Sequence, residues 1–150
     1  MRVVIQRVRH ARIRIQKNEE RSIGPGILIL LGIEDNDTAE DRDWLCSKIS
    51  KLRIFDDENG TMNHSLMDVG GDIMVVSQFT LHASTKKGNR PSWIRAAAPD
   101  IAEPMYHSFV RALTQNTGKD IITGEFGAHM EISLLNDGPV TLFIDTKNKE

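Results

Sequence analysis

Hydrophobic and polar residues alternate along the first sixteen positions of the chain. The stretches "RVVIQRV" and "ARIRI" show strand-like alternation of apolar and polar residues, which is typical of a half-buried β-strand. A short polar break separates them, so the pattern predicts a hairpin over about residues 2 to 16. The arginines of this segment are then expected on its exposed face.

Two later stretches are apolar with little alternation. "ILILLGI" follows the turn residues "GPG" at 24 to 26, and "DIMVVSQFTL" spans residues 72 to 81. Continuous apolar runs of this length, bounded by turn residues, are typical of buried strands. Because a strand follows the glycines at 24 to 26, a phosphate-binding loop is not predicted there.

Helical spacing of apolar residues occurs in two further segments. Asp37 or Thr38 can cap the first helix, whereas Pro104 suits the first turn of the second, which should end near Asn116. Each helix should pack one face on the sheet. The apolar positions are Leu45, Ile49 and Leu52 in the first segment, and Met105, Phe109 and Leu113 in the second.

The C-terminal end contains two more predicted strands, "MEISLL" and "VTLFID", with "NDGPVT" at 136 to 141 as a turn between them. Pro139 donates no backbone hydrogen bond, and Gly138 can reach backbone angles closed to other residues. A bond before proline is cis in only about one folded case in twenty. These residues alone therefore favour a trans turn.

The order of elements is two strands, strand and helix twice, then a strand-rich end. That order predicts a mixed α/β fold of two-layered, barrel-like sheets with two helices packed on one face. A length of 150 residues suits a single domain over residues 1 to 150.

Charge and cysteine content exclude several classes of protein. Nineteen Lys and Arg against 21 Asp and Glu give a net charge of −2, which argues against broad nonspecific binding to nucleic acid. Cys46, alone in a predicted helix, indicates packing. Arginines interrupt the N-terminal apolar run, so we expect no signal peptide and a cytoplasmic protein.

The basic residues form two runs: Arg2, Arg7, Arg9, Arg12 and Arg14, then Lys86, Lys87, Arg90 and Arg95.

The end of the second apolar run carries the first candidate chemistry. Ser77, Gln78 and Thr80 interrupt an otherwise apolar stretch, and buried polar groups there need partners or a ligand. The segment is therefore predicted to form a pocket wall. If the strand continued to His82, Thr80 and His82 would share a face as a nucleophile and base, although no third orienting group is evident.

Histidines suggest a second chemistry. His129 and Glu131 in "HME" resemble the spacing of zinc deaminases, which also need a Pro-Cys-x-x-Cys pair that this chain lacks. On an alternating strand the two residues share a face, which is expected to be the wet one. A metal hydrolase using His82, His129 and Glu131 is kept as an alternative.

Four motifs in order resemble D-aminoacyl-tRNA deacylases: "SQFTL" at 77 to 81, "KGNRPS" at 87 to 92, "GEFGAHM" at 124 to 130 and "NDGPVT" at 136 to 141. The likeness runs from "VVIQRV" to the last strand. Trp93 stands where Phe is common in the family, and His129 where Met is frequent. Both departures lie outside "SQFTL" and "NDGPVT", so they concern the shape of the pocket.

The resemblance implies hydrolysis of the ester that joins a D-amino acid to tRNA, without metal or organic cofactor. Glycine mischarged on tRNA is a second candidate substrate. It also implies a homodimer in which Gly138 and Pro139, joined by a cis bond, enter the partner's active site and exclude L substrates. By the same resemblance Ser77, Gln78, Phe79 and Thr80 are expected in the catalytic site. Phe126 and Met130 are expected to bind substrate beside the Gly-Pro pair.

The family's chemistry is consistent with the absence of a carboxylate dyad. The backbone amides around Phe79 and Thr80 are expected to stabilise the oxyanion, and the substrate's own ribose hydroxyl to activate water. Thr80 as nucleophile remains a second possibility. The basic runs are expected to meet tRNA phosphates, and neither DNA nor membrane is expected as a partner. A noncatalytic RNA-binding module is the alternative function.

Overall fold

A computed structural model describes residues 1 to 16 and 19 to 149. No helix within these residues is long and apolar enough to cross a membrane. The elements in chain order are β1 (Arg2–Ile15), β2 (Glu19–Ile23), β3 (Gly26–Gly32), α1 (Ala39–Lys51), β4 (Phe55–Asp56), β5 (Met62–His64), α2 (Leu66–Val69), β6 (Asp72–Ser77), a 3-10 turn (Phe79–His82), α3 (Pro99–Thr117), β7 (Ile121–Thr123) and β8 (Met130–Asp145).

The main sheet has the order β2-β1-β3-β6-β7, and β8 pairs with β1 along nearly its whole length. The β3–β6 and β6–β7 pairs are parallel, while β1 is antiparallel to β2, β3 and β8. Strands β4 and β5 form a small separate hairpin. This barrel-like mixed sheet confirms the predicted α/β class.

The predicted N-terminal hairpin is wrong, because residues 2 to 15 form the single strand β1. Val3 and Ile5 point into the core, but Val8 and then Ala11 break that alternation. The pairing with β8 shifts register between Gln6 and Val8 and again between Val8 and His10. Irregularities of this kind bend a strand without reversing it. They interrupt the alternation of apolar and polar residues, and in the sequence this interruption resembles a turn.

The predicted C-terminal turn is also wrong, since β8 runs without reversal from Met130 to Asp145. Val8 pairs with Asn136 and Gln6 pairs with Thr141, so residues 137 to 140 stand opposite one residue of β1. The "NDGPVT" segment is therefore a bulged excursion from β8. Its long-range pairing to an uninterrupted β1 is not visible in the local sequence.

Strand β6 ends at Ser77, four residues before the predicted end, and the 3-10 turn begins at Phe79. The turn packs closely over Gly32, where an added Cβ would lie 3.0 Å from the Gln78 carbonyl oxygen. A glycine at the end of β3 thus makes room for the turn. Thr80 and His82 do not share a strand face.

The first helix starts as predicted, because Thr38 caps α1 and forms a capping box with Asp41. The second starts earlier than predicted. Pro99 occupies the beginning of α3, and Pro104 lies inside it. Pro104 has no N–H to donate to the carbonyl of Asp100, a loss that the rest of the helix tolerates.

Both long helices pack on one face of the sheet, as predicted. The core on that face includes Tyr106, Phe109 and Leu113 of α3 and Leu45 and Ile49 of α1. A second apolar cluster covers the other face, where the first half of β8 packs. Cys46 is buried in the first core, and burial raises the pKa of its thiol to about 12. It is a packing residue, as expected.

Candidate active site

A pocket of about 540 Å³ opens at the carboxyl ends of the parallel strands β3 and β6. Ligands commonly bind at this edge of a sheet that carries parallel strands. Six of the candidate residues named from sequence line it: Ser77, Gln78, Phe79, Phe126, Met130 and, from the metal-hydrolase alternative, His129. The sheet edge and the segment before β8 thus bring together two motifs that are about fifty residues apart in sequence.

The 3-10 turn presents backbone donors beside this pocket. The amide of Gln78 donates to the carbonyl of Leu31 at 2.7 Å, and that of Leu81 donates to the carbonyl of Gln78 at 3.2 Å. Within the described chain, the amides of Phe79 and Thr80 have no hydrogen-bond acceptor. The first amides of a helical turn lack an acceptor inside the turn, so these two N–H groups are available to a ligand.

Thr80 does not itself line the pocket. Its hydroxyl oxygen accepts a hydrogen bond from the side-chain amide of Gln78. The pair predicted with His82 is not formed, because no hydrogen bond joins the Thr80 hydroxyl to either ring nitrogen of His82. This arrangement holds the Thr80 hydroxyl against Gln78 and leaves it without a general base.

Two aromatic side chains stand at the rim of the pocket. Phe79 is 56% exposed, and its ring centroid lies 5.3 Å from that of Trp93 at an angle of 76°. Such an edge-to-face pair is favourable for aromatic rings. Trp93 was singled out in the sequence only as a departure from the family pattern. Its position in a polar loop after a buried strand was the available signal for a site residue.

The opposite wall of the pocket comes from the start of α3 and was missed from sequence. Ala97 and Ala102 line it with Pro99. Their small side chains leave the space that the pocket occupies. Alanines in a helical pattern carry no local signal for a site, because only the packing of α3 on the sheet places them there.

His82 is fully buried beneath the 3-10 turn. Its Nδ1 lies 3.9 Å from a carboxylate oxygen of Glu34, which is itself 3.6 Å from the guanidinium of Arg95. Burial lowers the pKa of His82 below the ordinary value of 6.5. The ring is therefore neutral at pH 7 and packs behind the site without entering it.

This burial predicts a specific pH dependence of stability. The unfolded chain binds a proton on His82 more readily than the folded chain, so stability should fall as the pH is lowered from 7.5 to 5.5, by at most about 1.4 kcal/mol for this one group. Urea unfolding at pH 7.5 and 5.5 measures it. His82→Leu should remove this loss and stay within about 1 kcal/mol of the parent at pH 7.5. An unchanged loss in the variant would contradict the assignment, since carboxylates such as Asp145, whose pKa is lowered, titrate at lower pH.

The metal-hydrolase alternative finds no support in the geometry. His129 and Glu131 are exposed, as expected for a wet face, and Glu131 lies 3.6 Å from Arg14. No three histidine, cysteine or acidic side chains of the described residues are grouped as metal ligands. The structure does not bring His82, His129 and Glu131 together.

The "NDGPVT" excursion forms an exposed loop. The peptide bond between Gly138 and Pro139 is cis, and Gly138 has a φ of 125°. Neither residue lines the pocket of its own chain. The Asn136 side chain closes the base of the loop by donating to the carbonyls of Arg7 and Val140, at 2.9 and 3.1 Å.

Arg7 holds the loop from inside the protein, contrary to its predicted exposure. It is 6% exposed and donates to the carbonyls of Ile54 at 2.6 Å and Asp137 at 3.2 Å. The same guanidinium lies 3.2 Å from the Asp56 carboxylate. The register shifts of β1 place Arg7 opposite the loop, where it replaces missing strand pairing.

The first basic run is neutralised by acidic partners. The pairs are Arg2 with Asp145, Arg7 with Asp56, Arg9 with Asp137, Arg12 with Glu20 and Arg14 with Glu20. In the second run Arg95 pairs with Glu34, whereas Lys86, Lys87 and Arg90 have no ion-pair partner among the described residues. The free positive charge beside the pocket therefore lies in the loop that precedes Trp93.

The chain is similar to known proteins over its whole length. It is 61% identical to D-aminoacyl-tRNA deacylases of Bacteroides thetaiotaomicron and Flavobacterium johnsoniae, with all of both chains covered. A solved structure titled "c-Myc DNA Unwinding Element Binding Protein" superposes with a TM-score of 0.90 at 39% identity, covering 97% of this chain and 98% of that one.

A second solved structure, titled as a probable eukaryotic D-amino acid tRNA deacylase, shares the fold with a TM-score of 0.82 at 19% identity, covering 95% and 97% of the two chains. The sequence profile described as D-Tyr-tRNA(Tyr) deacylase matches residues 4 to 145. Together with the 61% identity of the relatives, this match shows that the chain belongs to the D-Tyr-tRNA(Tyr) deacylase family, hydrolases that act on the ester bond of aminoacyl-tRNA.

Proposed function

We propose that this protein hydrolyses the ester bond of D-aminoacyl-tRNA in the cytoplasm, releasing the D-amino acid and tRNA. The observation that carries the proposal is the pocket at the end of β6, which Ser77, Gln78 and Phe79 line and which has the free amides of Phe79 and Thr80 beside it. Backbone donors aimed at a developing oxyanion are each worth roughly a hundredfold or more in rate.

The chemistry needs few groups from the protein. Water attacks the ester carbonyl carbon, the amides of Phe79 and Thr80 stabilise the negative oxygen, and the ribose oxygen leaves with a proton. The neighbouring ribose hydroxyl of the substrate accepts the proton of the attacking water and passes one to the leaving oxygen. Thr80 positions Gln78 in this scheme, because their side chains are hydrogen-bonded to each other.

The rim and the adjacent loop suit the end of a tRNA. The exposed rings of Phe79 and Trp93 provide surfaces on which the terminal adenine can stack. Lys86, Lys87 and Arg90 offer positive charge to phosphates in a salt-dependent manner. Phe126 and Met130 bound the part of the pocket that receives the aminoacyl group.

Chiral selection is proposed to come from a second subunit. Gly138 and Pro139 are exposed and lie outside the pocket of their own chain, so they can act on a pocket only from a neighbouring copy. In a homodimer their carbonyl oxygens would meet the substrate amino group and leave no space for an L side chain. Such exclusion suits proofreading, because correctly charged L-aminoacyl-tRNA must survive.

Thr80→Ala distinguishes the two roles of this residue. If the substrate hydroxyl activates water, the variant should keep at least about a tenth of the parent kcat, because the oxyanion amides are backbone groups. Single-turnover release of D-tyrosine from D-Tyr-tRNA measures it. A folded variant with no release above the uncatalysed rate would return Thr80 to the nucleophile role.

A noncatalytic RNA-binding module is the second candidate, and the 39% identical c-Myc DNA Unwinding Element Binding Protein, named for nucleic-acid binding, favours it. Incubating the purified protein with D-Tyr-tRNA in EDTA separates the two. The proposal predicts catalytic release of D-tyrosine, whereas stable binding of intact D-Tyr-tRNA would favour the module. Release that requires a divalent metal would contradict the proposed mechanism.

A further inference from the structure

A second concave surface lies between α1 and α3, outside the pocket at the end of β6. This interhelical groove has a volume of about 650 Å³. Its lining is polar and carries three cations, Arg42, Lys51 and Arg111, against one acid, Asp43. Hydroxyl groups of Ser47 and Ser108 complete the donors. A polar groove with excess positive charge fits an anionic ligand.

The charge of the groove is largely unused by the fold. Arg42 pairs with Asp43 at 2.7 Å and donates to the Ser108 hydroxyl. Within the part of the chain that the structure describes, Lys51 and Arg111 have no ion pair or hydrogen bond. Lys51 lies in the last turn of α1, where the helix dipole favours a cation. Arg111 lies well inside α3, so the dipole does not account for it.

This free charge differs from the charge of the N-terminal arginines. The protein carries a net charge of −2, and the N-terminal arginines all have acidic partners. Among the described residues, Lys86, Lys87 and Arg90 in the loop before Trp93 also lack an ion-pair partner, as do Lys48 and Lys149 over the Trp44 ring. The groove differs from the other positions because it holds its cations in a concave surface beside serine hydroxyl donors, an arrangement that suits a polyanionic ligand.

Helix α3 connects the groove with the pocket. Its start, with Pro99 and Ala102, lines the pocket, and residues from Ser108 to Asn116 line the groove. Arg111 is nine residues beyond Ala102, which corresponds to about 14 Å along a helix. An RNA strand whose 3′ end occupies the pocket covers that distance with about four nucleotides, at ~3.4 Å per nucleotide.

We propose that the interhelical groove binds the ribose-phosphate backbone of the tRNA acceptor end. This inference rests on the proposed function, because the RNA reaches the groove when its 3′-terminal nucleotide lies in the pocket. Arg111 and Lys51 neutralise phosphates, and the hydroxyls of Ser47 and Ser108 donate to phosphate or accept from ribose hydroxyls. Contacts of this kind hold the substrate independently of base sequence.

The test is the binding of uncharged tRNA as a function of salt. The double variant Lys51→Gln/Arg111→Gln should bind about tenfold more weakly at ~0.1 M salt. Its slope of log K against log salt should fall by about 1.8, since each phosphate contact contributes about 0.9. Circular dichroism and the unfolding midpoint check that the variant is folded.

A matched control removes two charges elsewhere. Lys48→Gln/Lys149→Gln changes the net charge equally, and both lysines lie over the Trp44 ring, at 5.7 and 4.6 Å, away from the groove. It should lose less than twofold in affinity. Equal losses in the two double variants, or an unchanged slope in the groove variant, would overturn the proposal.

Kinetics and a small anion complete the test. On D-Tyr-tRNA the groove variant should raise KM about tenfold and change kcat less than twofold. If the parent protein cleaves no ester, the proposed function fails. The binding of uncharged tRNA then still shows whether the groove contacts RNA. Tight binding of inorganic pyrophosphate that Arg111→Gln abolishes, with tRNA affinity unaffected, would assign the groove to a small phosphorylated molecule and overturn the proposal.

Discussion

Replacing Arg7 with leucine is expected to lower the free energy of unfolding by about 3 kcal/mol, because one change removes the partner of a buried carbonyl and of two partly buried acceptors. The guanidinium is 6% exposed and serves the carbonyls of Ile54 and Asp137 and the Asp56 carboxylate. Loss of these bonds also releases the loop with Gly138 and Pro139. Urea unfolding measures the stability. The ratio of hydrolysis rates on D- and L-aminoacyl-tRNA should fall if the loop is displaced.

Arg9 provides the matched control, since it lies 3.2 Å from the Asp137 carboxylate but is 68% exposed. Arg9→Leu should cost less than about 1 kcal/mol, as exposed ion pairs do. Arg7→Lys keeps the charge with fewer donors and should fall between the parent and Arg7→Leu. Equal stability losses for Arg7→Leu and Arg9→Leu would show that Arg7 does not anchor the loop.

The second large effect is expected from Gly138→Ala. A Cβ at this position would lie 2.8 Å from Val140 Cγ2 and 3.2 Å from an Arg7 guanidinium nitrogen, at a φ of 125°. The loop must therefore move to accept the methyl group. A displacement of about 1 Å at a positioned group can change a rate by about a hundredfold, so the preference for D over L substrates should fall by about that factor.

Gly60→Ala is the control for the backbone strain itself. Gly60 also has a positive φ, of 74°, but an added Cβ meets no atom within 4 Å. It lies near the tip of the β4–β5 hairpin and should lose about 1 kcal/mol of stability with no change in preference between enantiomers. Unchanged selectivity in a folded Gly138→Ala protein would count against the exclusion of L substrates by Gly138 and Pro139.

Local patterns predicted the buried strands and the helical segments, because each is set by residues close in sequence. The Thr38 cap of α1 and the buried strand β3 follow this rule. The same patterns gave wrong predictions where the structure depends on pairing between residues far apart in sequence. Strands β1 and β8 were each divided at a point where their mutual pairing is bulged, and no local property of Arg7 or Pro139 reveals that they face each other.

The site shows the same division. Ser77 and Gln78 were conspicuous as polar residues at the end of an apolar run, and they line the pocket. Ala97 and Ala102 were not, since their role depends on where α3 packs. His82 was misplaced because the strand was assumed to continue, whereas the close packing over Gly32 turns the chain beneath the pocket.

Hydrolysis of D-Tyr-tRNA and L-Tyr-tRNA by the same enzyme preparation tests the account most directly. Both substrates carry the same tRNA and the same side chain, so the two rates differ only through the configuration of the α-carbon. With EDTA present, we predict rapid release of D-tyrosine and release of L-tyrosine at least about a hundredfold slower. Equal rates on the two enantiomers, or no release from D-Tyr-tRNA, would contradict it.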